Sequence, residues 1–105
     1  MKNIKMLSIE EIKSYIIPVI EEYPIEKVIF YGSYARGDAT DSSDIDLIVE
    51  SGGKMRNTKI FSLGGELLDV LPVRVDVYDM LEIKNPSAIY ENIQKDGVVI
   101  YEGSR

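Results

Sequence analysis

The 105-residue chain has no cysteine and no histidine. The first absence removes disulfides, thiolate metal sites and thiol catalysis together. The second removes the commonest general acid/base at neutral pH and leaves a zinc site with carboxylates alone. Any catalysis must therefore lean on carboxylates and on the hard, oxygen-loving cations that carboxylates hold. Long apolar runs are lacking too. Nothing approaches the ~20 apolar residues of a membrane span, and the N-terminal MKNIKMLSIEEIKSY has no long apolar stretch followed by a small-residue cleavage site. A cytoplasmic location with no membrane partner is the expectation. Positive charge is in deficit, with 12 basic against 18 acidic residues and a net charge of −6. That balance opposes a broad electrostatic footprint on DNA or RNA, so nucleic acid is not expected as the main partner.

What is present is the composition of an ordinary folded domain, 45% hydrophobic and 29% charged. A chain of this length has room for one core, and residues 1–105 are expected to form a single domain. From Leu7 to Glu22, Ile9, Ile12, Tyr15, Ile16, Val19 and Ile20 recur at helical spacing. Ser8 is placed to cap them, and Glu10 and Glu11 occupy the first turn. Pro18 should kink or shorten that helix. Lys27 to Tyr31 reads as a strand that stops at Gly32, and Asp44 to Glu50 as a second, closed by Ser51-Gly52-Gly53. Ile60, Leu63, Leu67, Leu68 and Leu71 suggest a helix weakened by Gly64-Gly65 and ended by Pro72. Val73 to Tyr78 alternates as a half-buried strand. Asn85 before Pro86 predicts a capped helix to Lys95, ended by Gly97, and Val98 to Tyr101 a short closing strand. The expected fold is α/β (α+β), a small mixed sheet of about four strands flanked by helices.

The chemistry concentrates at two strand starts. Side chains alternate along a strand, so Asp44 and Asp46 share one face while Ile45, Leu47 and Val49 take the other. Two carboxylates that close repel when ionised, and a divalent cation relieves the repulsion. Val73, Val75 and Val77 likewise leave Arg74, Asp76 and Tyr78 on their opposite face. If this strand lies beside the second, Asp76 joins the pair. Three such aspartates can hold two magnesium ions, one activating a hydroxyl and one bridging triphosphate oxygens, which is the chemistry of nucleotidyl transfer. Gly32 permits a backbone to approach phosphate, a helix starting near Ser33 would aim free amides at an anion, and Arg36 and Arg74 can neutralise departing pyrophosphate.

Gly32-Ser33-Tyr34-Ala35-Arg36-Gly37 and Ser43-Asp44-Ile45-Asp46-Leu47 together resemble the nucleotidyltransferase superfamily that includes DNA polymerase beta and kanamycin nucleotidyltransferase. The resemblance is closest to its smallest branch, the MNT proteins, which are often antitoxin partners of HEPN-domain RNase toxins. It extends through Arg74-Val75-Asp76-Val77 to the C-terminal Asp96-Gly97-Val98-Val99-Ile100-Tyr101-Glu102. It implies that Gly32 and Ser33 contact the triphosphate, that Asp44 and Asp46 bind magnesium, and that Asp76 completes the triad. It further implies transfer of AMP from ATP to a tyrosine hydroxyl of a HEPN toxin. No acceptor-recognition domain of the larger relatives is visible, so a partner protein is expected to bring the acceptor. A homo-oligomer is left open.

Each feature has a plainer alternative. Arg74 offers Asp76 a structural ion pair, and Arg36 could do the same with Asp38 or Asp41. Asp38, Asp41 and Asp79 read by default as turn and capping residues. The basic Lys54, Arg56 and Lys59 fit a solvated face. Tyr31 and Tyr34, beside the site, fit packing or stacking on a base. For the whole molecule, the alternative to an enzyme is a binding module that neutralises a basic RNase by covering it with an acidic surface.

Overall fold

A computed structural model describes residues 8–37, 44–55, 58–71, 73–83 and 87–103; the Ser33 and Tyr34 side chains lie outside that description, as do Asp38, Asp41, Arg56 and Asn85-Pro86 altogether. Helix α1, Ile9–Ile20, opens on a capping box in which the Ser8 hydroxyl accepts from the Glu11 amide at 3.0 Å and Glu11 Oε1 accepts from the Ser8 amide at 2.9 Å. The expected interruption at Pro18 does not end it. The proline forgoes one backbone bond, to the Ser14 carbonyl, but the fully buried Ile16 and Ile20 anchor the last turn.

Strand β1, Lys27–Tyr31, is followed by the single turn α2, Ser33–Arg36, then β2, Ile45–Glu50, and α3, Thr58–Val70. Strand β3, Val75–Asp79, leads through a 3-10 turn at Met80–Glu82 to α4, Ala88–Asp96, and β4, Val98–Glu102. The strands lie in the order β3-β2-β1-β4. β1 is antiparallel to β2 and to β4, whereas β2 and β3 are parallel, so the sheet is mixed, as expected. A parallel pair cannot be closed by a tight hairpin, and α3 supplies the crossover.

Several boundaries differ from the sequence reading by a residue or two, and two of them are informative. β3 begins at Val75 rather than Val73, although the Arg74 carbonyl still accepts from the Ile45 amide at 2.9 Å. Arg74 thus lies just ahead of the strand. The last helix starts at Ala88 rather than Pro86, because Ser87 is the cap and its Oγ accepts from the Tyr90 amide at 3.0 Å. Asp79 does cap, as its residue type suggested: its Oδ1 accepts from the Leu81 amide at 3.0 Å.

One face of the sheet is closed. Ile12, Ile16 and Ile20 of α1 and Leu63, Leu67 and Leu71 at α3 pack on Val28, Phe30, Ile45, Leu47 and Val49. Burying each such side chain stabilises the fold by roughly 1.5–3 kcal/mol, which is how α3 persists across Gly64-Gly65. The other face carries a much smaller cluster, Ile29, Ile48 and Ile93 of α4, with Tyr31, Met80 and Ile83 against it.

Candidate active site

Asp46 is the centre of the sparsely covered face. In register it lies between Tyr31 of β1 and Asp76 of β3, so the sheet itself brings the two aspartates side by side. β2 alternates, and Ile45, Leu47 and Val49 commit their faces to the closed core. Asp46 is therefore left on the opposite side with Ile48. Asp44 immediately precedes the strand and is more open to solvent.

Arg74 Nε is 3.6 Å from Asp76 Oδ1 and 3.9 Å from Asp44 Oδ2. The ion pair weighed as the plain alternative for Asp76 is thus present, and it takes in Asp44 as well. The Arg74 side chain is 70% exposed, so such a pair contributes only ~0–1 kcal/mol and is readily exchanged for another cation. Asp46 has no such relief. Burial pushes its carboxyl above the usual carboxylate range, and the charges of Asp76 and then Asp44 push it further.

Gly32 ends β1 with φ +92°, a conformation that side chains with a Cβ rarely adopt. A Cβ built there would lie 2.6 Å from Asp46 Oδ2. The glycine therefore permits both the turn and the approach of the carboxylate. Immediately after it α2 begins at Ser33, with the Arg36 amide bonded to the Gly32 carbonyl at 3.0 Å. The first amides of a helical turn have no acceptor within it, and here they follow directly on Gly32. The structure brings Gly32, Asp44, Asp46, Asp76 and Arg74 together, while Arg36 occupies the exposed far end of α2. The Ser33 hydroxyl lies outside the described residues.

The carboxylates suit a hard cation by donor type, and the unrelieved charge on Asp46 is the observation that favours one there. The described residues contain no ready-made cage of three acidic ligands. Asp44 and Asp76 are engaged by Arg74, so a cation at Asp46 would take over from the guanidinium rather than enter a finished nest.

Beside Asp46 a cleft of about 310 Å³ runs beneath α4, walled by Tyr31, Ile48, Tyr78, Ile89 and Ile93. Its size and apolar walls with one acidic corner are those of a small-molecule site. The Tyr78 hydroxyl is held protonated, first by burial and then by the charges of Asp76 and Asp46. Sequence reasoning placed Tyr78 on this face and gave it no role. The signal was its i+2 spacing from Asp76; the missing fact was that Ile89 and Ile93 of α4 line the same cleft.

The family model for polymerase beta nucleotidyltransferases matches residues 14–105. The chain belongs to that family. Among relatives of this nucleotidyltransferase, a Methanocaldococcus jannaschii protein that carries the provisional name of protein adenylyltransferase is 36% identical over 80 residues, 76% of this chain and 81% of that one. The protein adenylyltransferase MntA of Thermococcus cleftensis is 28% identical over 99 residues, 90% of this chain and 98% of its own length. Among solved structures, a chain of a toxin–antitoxin complex with AMP-PNP matches with a TM-score of 0.75 at 20% identity, over 88% of this chain and 74% of that chain. A chain from the complex of a tri-AMPylated Shewanella oneidensis HEPN toxin with MNT antitoxin matches at 0.69 and 18% identity, over 90% and 72%. These two likenesses establish the nucleotidyltransferase fold.

Proposed function

We propose that this nucleotidyltransferase transfers AMP from ATP to a tyrosine hydroxyl of a HEPN-domain toxin and thereby acts as its antitoxin. The observation that carries the reading is the side-by-side register of Asp46 and Asp76 with Gly32 against the Asp46 carboxylate. The protein adenylyltransferase names of relatives support the transferred group, and the toxin–antitoxin complexes among structural neighbours support the acceptor.

In this reading Asp44, Asp46 and Asp76 hold magnesium, which supplies charge neutralisation on the triphosphate and a more acidic acceptor hydroxyl. Gly32 and the α2 amides, with the Ser33 hydroxyl, bind phosphate oxygens. Tyr31 and Tyr78 wall the cleft that takes the base, and the Tyr78 hydroxyl, kept protonated, donates a hydrogen bond into it. The acceptor hydroxyl gives up its proton to solvent, its oxygen attacks the α-phosphorus, the bond to the bridging oxygen breaks, and pyrophosphate leaves with its charge met by Arg36 and by Arg74, released from its carboxylates.

The test is incubation with α-labelled ATP, magnesium and HEPN-domain proteins of the same genome. Wild type is expected to label one of them on tyrosine, and the double variant Asp44→Asn plus Asp46→Asn to lose that labelling. Undiminished labelling by the variant would refute the site. If the double variant protects cells from the toxin as well as wild type does, covering the toxin suffices and transfer is not the mechanism.

A further inference from the structure

Helix α3 is apolar on two sides. Leu63 and Leu67 are fully buried against the sheet, yet Phe61 is 81% and Leu68 52% exposed on the outer side. Between those two, at i+3 and i+4 from Phe61, come Gly64 and Gly65. A glycine pair weakens a helix interior, so it calls for a reason. Packing among the described residues gives none: a Cβ at either position would meet nothing of theirs within 4 Å. The pair forms a notch bounded by two exposed apolar side chains.

That notch faces β3, the edge strand of the sheet, beyond which no strand pairs among the described residues. Two adjoining hollows run along the edge and share Ile60, Phe61 and Val77. The first is lined by Gly64, Gly65 and Leu68 and reaches Asp76 of the site. The second ends at Asp79 and Glu82. Asp79 is only 2% exposed, and its Oδ2 has no hydrogen-bond partner among the described residues. A buried carboxylate oxygen without a partner is costly, and a cation seated at that end of the groove relieves the cost.

We infer that this groove is where the acceptor protein docks: an extended segment adds to the edge of β3, with its hydroxyl residue at Asp76 and a lysine or arginine three positions away at Asp79. The inference rests on the transferase reading, since it takes Asp76 as the point the acceptor must reach. Backbone bonds to the β3 edge supply the affinity, and alternate side chains supply the selectivity. Asp76 and Asp79 are three residues apart, about 10 Å at ~3.3 Å per residue, and their side chains leave opposite faces of the sheet. An added strand alternates in the same way. Its hydroxyl residue then projects to the open face beside Asp46, and the basic residue to the α3 face. The residue between them that shares the basic residue's face meets the glycine notch, where any β-carbon on α3 would hold the segment off.

The test uses the whole chain with short β-forming peptides that carry one tyrosine and one arginine at varied separation. Binding is measured by fluorescence anisotropy, with AMP-PNP and magnesium binding followed in parallel. The expected result is at least tenfold tighter binding at a separation of three than of two. Gly64→Gln plus Gly65→Gln, which favours the helix and fills the notch, is expected to abolish that binding while AMP-PNP binds as to wild type. Asp79→Asn is expected to remove only the preference for arginine position. Intact AMP-PNP binding with no peptide binding, or with binding indifferent to arginine position or to the filled notch, overturns the groove. Loss of AMP-PNP binding by the wild-type chain would instead count against the transferase reading.

Discussion

The two faces of this sheet obey different rules. On the closed face Phe30, Leu47 and Val49 are fully buried beneath two helices in one apolar cluster. On the open face the same two strands present Tyr31, Asp46 and Ile48 under a single short helix, with like charges placed side by side. Strand alternation assigns one residue to stability and the next to chemistry, so neighbours in sequence should respond oppositely to mutation. The open face holds charges that a stability-optimised sheet would not, as expected where local consistency yields to function.

The largest effect expected from breaking this contrast is on the open face. Asp46→Asn should lower label transfer by at least about 10³-fold, or ~4 kcal/mol of transition-state stabilisation, in single-turnover assays. Phe30, which immediately precedes Asp46's sheet partner Tyr31 and faces the closed side, behaves the other way. Phe30→Ala should cost ~3–5 kcal/mol of stability by denaturant titration, because it empties a site the surrounding helices cannot refill.

Gly32→Ala joins the two faces' rules in one residue. The strained positive φ alone should cost ~1–3 kcal/mol, and the methyl displaces Asp46 Oδ2 as well. A lowered Tm together with lost magnesium-dependent nucleotide binding is the expected outcome, whereas Phe30→Ala should leave binding intact below its own Tm.

Proton linkage sharpens the comparison further. Folding raises the Asp46 pKa above its ordinary 3.8, so the folded chain holds that proton more tightly than the unfolded one. Its favourable contribution is fully present below pH 3.8 and is lost as pH rises through the raised folded value. At pH 7 without metal the ionised Asp46 opposes folding. Asp46→Asn should therefore raise Tm at pH 7, and magnesium should raise the Tm of wild type but not of the variant. The smallest effect is on α3, where Gly64→Ala should add about 0.8–1 kcal/mol by helix propensity, since open space awaits the methyl.

Much of this was legible in the sequence because it is local. Lys27 to Tyr31 announced β1 by composition and Gly32 its end, and the Asp-x-Asp alternation put Asp44 and Asp46 on one face. What was not legible is non-local. Whether β3 lies beside β2 depends on a parallel pairing closed through α3, and only that pairing sets Asp76 opposite Asp46. Tyr78 acquires meaning only from the cleft it shares with Ile89 and Ile93 of α4. Asn85 and Ser87 both have capping side chains, and local propensity could not rank them; the structure uses Ser87. Gly64-Gly65 was legible as a weakness of α3; that the pair lines a hollow along the edge of β3 was not.

The most direct test of the central claim is calorimetric titration of AMP-PNP into the wild-type chain and Asp46→Asn, each with and without magnesium. Binding that requires magnesium in wild type and weakens at least about 100-fold in the variant, ~2.7 kcal/mol, is the predicted result. Equal binding by the two proteins, or wild-type binding indifferent to magnesium, would contradict the assignment of the paired aspartates as the metal and nucleotide site.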